Sequence, residues 1–98
     1  MIVRVQGSGQ YQLAEAAVDQ LNQIDLQLVD AVHAHDELRT HGLLQQMIEL
    51  VQTTGSAIGD DDLVASDTIL PPDTVTVEEV QALLHEEGLV PSRSGQGV

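Results

Sequence analysis

The residues of this chain that could do chemistry are few: four histidines, a run of three aspartates, a Gly-x-Gly and one carboxylate in an apolar setting. His33-x-His35 followed by His41 is the grouping with the makings of a metal site, and it frames one reading as a metal-dependent enzyme or metal sensor. Two rings at i and i+2 of a helix point about 200° apart, so they converge only if the backbone leaves the helix there. No carboxylate or thiolate completes a recognisable ligand spacing, and solvent-facing histidines at a helix turn are the plainer reading. Gly59-Asp60-Asp61-Asp62 lacks the alternating acids, central glycine and distal glutamate of a calcium loop and reads as a solvated acidic connection. Gly7-Ser8-Gly9 lacks the third glycine of a dinucleotide fingerprint, so it reads as a hairpin turn whose glycines supply positive φ. Asp25 falls between Leu21, Leu28 and Val29. A buried, unpaired carboxylate costs several kcal/mol. Asp25 therefore either sits at the edge of its apolar stripe, reaching water or a backbone amide, or contacts a basic residue of a partner.

The elements that must position these residues centre on the stretch from Ala14 to Thr54. At about 100° per residue, Leu13, Ala14, Ala17, Val18, Leu21, Ile24, Leu28, Ala31 and Val32 fall in one apolar arc. After a turn near His35 and Asp36, with Asp36 suited to an N-cap, Leu43, Leu44, Met47, Ile48, Leu50 and Val51 make a second arc. Two antiparallel helices result. Each arc is wider than one neighbour needs, so both helices must also touch a sheet, a third helix or a partner. Leu26 and Leu38 lie off these arcs, and with the wide second arc they mark a contact surface and an expectation of self-association.

Ahead of the helices, Ile2 to Gln6 and Gln10 to Leu13 read as a strand pair around the glycine turn. Gly55 ends the second helix, and Ser56 to Ser66 reads as a polar connection. Leu63-Val64 and Asp67 to Leu70 are short extended pieces closed by Pro71-Pro72, giving a third strand beside the hairpin. Thr76 and Glu79 form a capping box for a short third helix carrying Val77, Val80, Leu83 and Leu84, with His85 on its polar side and Gly88 at its C′ position. From Ser92 to Val98 the composition predicts a disordered tail.

Composition narrows the function. Ninety-eight residues make one domain, over 1–91, with an aliphatic core, since Tyr11 is the sole aromatic residue. Sixteen acids against three arginines, and no lysine, give a net charge of −13, which repels phosphates and makes nucleic acid and anionic lipid improbable ligands. A basic partner suits it better. The absence of lysine and cysteine removes Schiff-base, phosphate-loop and thiolate chemistry, and the lack of disulfides fits a cytoplasmic location. The amino terminus has no signal-peptide pattern and no apolar run approaches 18 residues, so neither secretion nor direct membrane insertion is expected.

Four stretches together resemble a known family. They are Met1-Ile2-Val3-Arg4-Val5-Gln6-Gly7-x-Gly9-Gln10-Tyr11-x-Leu13, Leu28-Val29-Asp30-Ala31-Val32, Leu63-x-x-Ser66-Asp67-x-x-Leu70-Pro71, and Glu78-Glu79-Val80 through Glu87-Gly88-Leu89-Val90-Pro91. This pattern is similar to the small domain associated with phage shock protein A. His33, Ala34, His35 and Gly42 are not part of it. The resemblance implies a non-catalytic cytoplasmic partner of phage shock protein A, a coiled-coil protein, acting under membrane stress and drawn to the inner face of the membrane through that partner. The expected fold is α+β, a small antiparallel sheet packed on the helical hairpin with a short C-terminal helix. Asp25, Leu26, Val29, Asp30, Leu43 and Leu50 are the expected partner-binding residues, with no cofactor and no catalytic group.

Overall fold

The computed structural model of the chain describes residues 1–59, 64–84 and 89. Its elements are β1 (Ile2–Val5), β2 (Gly9–Gln12), α1 (Glu15–His33), α2 (Glu37–Thr54), β3 (Ser56–Ile58), β4 (Thr68–Leu70) and α3 (Val77–Leu83). The class is α+β, with one sheet of order β3-β2-β1-β4.

The hairpin β1–β2 forms where the glycines allow it. Ser8 N–H donates to the Val5 carbonyl, with Gly7 at φ 86° and Gly9 at φ 127°, a region that side-chain-bearing residues enter only at a cost. Val3 then pairs with Tyr11 and Val5 with Gly9. Along β1 the pleat alternates, so Val3 and Val5 are buried while Arg4 is exposed. On β4 the same alternation buries Thr68 and Leu70 and exposes Ile69.

Two features of the sheet differ from the sequence expectation. The strand after the acidic connection runs parallel to β1, pairing Thr68 with Val3 and Leu70 with Val5, so the sheet is mixed. A fourth strand, Ser56–Ile58, lies within the stretch expected to be a loop and pairs antiparallel with β2. It is the immediate continuation of α2, and its placement is set by Gly55. A Cβ on Gly55 would lie 2.5 Å from the Val51 carbonyl oxygen and 3.0 Å from Leu13 Cδ2 and Tyr11 Cβ, so the chain can pass that close to β2 only without a side chain. Residues 64–66, just before β4, lie against the outer face of the sheet, where Gln10 Nε2 donates to the Val64 carbonyl at 2.9 Å and to Ser66 Oγ at 2.7 Å. That covering explains a buried glutamine on the outer face.

Helices α1 and α2 form the expected hairpin. The turn is a Schellman motif: His35 N–H donates to the Val32 carbonyl and Asp36 N–H to the Ala31 carbonyl, with His35 left-handed at φ 54°. Asp36 also caps α2, its Oδ1 accepting from Arg39 N–H at 3.1 Å. The core joins Leu21, Leu28 and Val32 of α1, Leu44, Met47 and Val51 of α2, Val3 of β1, Leu70 of β4 and Val80 of α3, all fully buried. Each such leucine contributes about 1.5–3 kcal/mol of transfer free energy. The width of the second helix's arc is thus met inside this chain by α1 on one side and the sheet on the other. Leu43, Leu44, Met47 and Val51 are buried, and Ile48 and Leu50 are half-buried against the same core.

Helix α3 starts at the expected cap, Thr76 Oγ1 accepting from Glu79 N–H at 3.2 Å. It ends at Leu83, because Leu84 turns extended at ψ 136°. The helix is shorter than its apolar pattern suggests. His85, Gly88, Asp60 to Leu63 and the tail from Ser92 lie outside the described residues.

Candidate functional site

His33, His35 and His41 flank the helical turn and do not converge. His33 and His35 are exposed, His35 because it is the left-handed residue of the Schellman turn, while His41 is half-buried on α2 with Nε2 2.7 Å from the Val75 carbonyl. No group of three or more His, Cys, Asp or Glu among the described residues is arranged to hold a metal ion.

Asp25 is 2% exposed, at the centre of α1's buried stripe and not at its edge. Its Oδ1 accepts from the backbone N–H of Leu89 at 3.0 Å, and Thr68 Oγ1 donates to the carbonyl of the same residue. One residue of the C-terminal segment is therefore gripped from both sides, by α1 and by β4, with its side chain buried. Asp25 as a contact for a basic partner residue is corrected: its carboxylate serves the fold. Leu43 is likewise interior, at 5% exposed, because it faces the core of the hairpin. Of the other expected contact residues, Leu26 and Asp30 are exposed on α1, and Val29 and Leu50 are half-buried.

The feature the sequence did not announce lies along the polar flank of α2. His41 bonds to the Val75 carbonyl, Gln45 Nε2 donates to Asp73 Oδ2 at 2.8 Å, and Gln52 Nε2 donates to Ser8 Oγ at 3.1 Å. Positions 41, 45, 48, 49 and 52 share one stripe of a helix. Its two ends are thus tied, one to the segment after β4 and the other to the β1–β2 turn. Ser8 is fixed in turn by Tyr11, Oγ and OH lying 2.7 Å apart. Between the ties, at Ile48 and Glu49, the stripe opens into a groove of about 500 Å³. Val5, Ile48 and Pro72 give it an apolar floor, and Glu49 and Asp73 give it two carboxylates. The sequence signal was the polar spacing Gln45, Glu49, Gln52, which is indistinguishable from an ordinary solvated helix face until the turn and the segment after β4 are set against it.

No helix among the described residues is long and apolar enough to cross a membrane. A family model described as PspA-Associated protein matches residues 1–92 of the chain. No curated protein and no solved structure matches it.

Proposed function

The chain belongs to the PspA-associated protein family, and from that premise we propose that it is a non-catalytic module that binds phage shock protein A in the cytoplasm and acts in the response to membrane stress. The match over residues 1–92 is the observation that carries this reading. Chemistry supports it. A chain with no lysine or cysteine and a net charge of −13 is built to meet a basic protein surface, not a phosphate or an anionic headgroup. Attachment to the inner face of the membrane then comes through the partner.

The test is a titration of purified phage shock protein A with this chain, followed by association and dissociation kinetics at several ionic strengths. Charge steering raises the association rate and fades as salt shortens the screening length to about 8 Å at physiological strength. Association should slow between low and moderate salt while dissociation changes little. Asp25→Asn is not a probe of this steering, because that carboxylate is interior; Asp30→Asn is, since Asp30 is exposed. Absence of binding at low salt removes the proposed function.

A further inference from the structure

We infer that the groove between the β1–β2 turn and α2 is the docking site for a basic segment of the partner, one apolar side chain seated on Val5, Ile48 and Pro72 with flanking lysine or arginine reaching Glu49 and Asp73. This deepens the reading above and rests on it. Three observations carry it. The groove has built walls: Gln45 is held by Asp73, and Gln52 by Ser8, so the opening at Ile48 is bounded by side chains that are already committed. At about 500 Å³ it falls within the usual range of ligand pockets, about 300–1,000 Å³. Gly7, on its rim, meets no heavy atom within 4 Å of a would-be Cβ, so the turn leaves room for an approaching chain.

Charge then selects the occupant. Glu49 and Asp73 line the groove, and no basic residue among the described residues does. Arg4 points to the exposed face of β1, and Arg39 lies in the first turn of α2. The cations must come from elsewhere. A second copy of this chain is a poor source, with no lysine and three arginines against sixteen acids. A basic amphipathic segment supplies both the anchor and the charges, in the manner of a helix laid in a groove.

The experiment compares two double variants of equal charge change. Glu49→Gln with Asp73→Asn removes both groove carboxylates at constant shape. Gln23→Lys with Gln27→Lys adds the same two charges on the exposed face of α1, away from the groove. Melting curves first establish that both are folded. Against purified phage shock protein A at moderate salt, the groove variant should bind about tenfold more weakly, a loss of about 1.4 kcal/mol, and the α1 variant less than about twofold more weakly. Equal weakening of the two would mean that only the overall field matters and would overturn the groove. So would unchanged affinity of the groove variant, while the partner reading stood. Failure of the unaltered chain to bind overturns both. Self-association of the chain alone that is lost in the groove variant would put a second copy there and overturn the inference.

Discussion

Helix α1 stops because Val32 and Ala31 give their carbonyls to His35 and Asp36, and that geometry forces His35 to φ 54°. An L-residue with a side chain pays about 1–2 kcal/mol for the left-handed region. Glycine there recovers most of that and loses part of it to a freer unfolded chain. His35→Gly should therefore stabilise the protein by about 1 kcal/mol, raising its melting temperature by roughly 4–8 °C. A lowered melting temperature would mean that the imidazole makes a contact worth more than the strain. Asp25 has the opposite sign. Its carboxylate accepts from Leu89 N–H inside the core, so Asp25→Ala leaves a buried donor without that acceptor and should cost about 1–3 kcal/mol. Asp25→Asn keeps an acceptor oxygen and should cost less. Urea unfolding of the two variants checks the order, and an alanine variant as stable as the asparagine one would show that the grip on Leu89 contributes nothing.

At the scale of elements, β1 is the piece on which the sheet depends. It is the strand between β2 and β4, and it alone joins the hairpin to the parallel strand. Its ends are fastened as well: Leu13 N–H donates to the Met1 carbonyl, Asp67 Oδ2 accepts from Ile2 N–H, and Gln6 N–H donates to the Leu70 carbonyl. Removing residues 1–6 deletes two buried valines and leaves β4 without its ladder partner. The expected outcome is loss of the cooperative transition, read by circular dichroism on heating. A truncated chain that melts like the intact one would show that the helical hairpin and α3 suffice as a folding unit. The α1–α2 pair is the more local element, since its arcs, its turn and its cap at Asp36 come from contiguous sequence.

At the scale of the molecule, the chain carries a net charge of −13, and the fold has a radius of gyration of 12.9 Å over the described residues. The screening length is about 10 Å at 0.1 M salt and about 3 Å at 1 M, so at the lower salt the acids repel one another across much of the fold. Self-repulsion of that kind destabilises the compact state. Potassium chloride raised from 0.1 to 1 M should lift the melting temperature by several degrees, roughly 4–8 °C if the relief is about 1 kcal/mol. A melting temperature indifferent to salt would mean that the acids repel no more in the folded than in the unfolded chain. The same salt that steadies the fold should slow the approach of a basic partner, so the two effects have opposite signs and separate cleanly in one series.

What the sequence determined by itself was local or compositional. The helical pair, its turn, the glycine hairpin and the cap at Thr76 are written in periods of 3.6 and 2 and in single residues with one conformational talent. The absence of lysine and cysteine excluded whole chemistries. What only the tertiary structure decided depended on pairs far apart in the chain. The parallel register of β4 against β1 is one, because Thr68-Ile69-Leu70 reads the same whichever way it pairs. The strand Ser56–Ile58 is another, being only three residues long, and it exists because Gly55 lets the chain close on β2. The acceptor role of Asp25 is a third, since the N–H that meets its carboxylate belongs to Leu89, far along the chain. The groove at Ile48 and Glu49 required the β1–β2 turn, α2 and the segment after β4 in one place. Periodicity reports which face of an element is apolar, whereas the partner that covers that face, or leaves a gap beside it, is fixed only when distant segments compete for it.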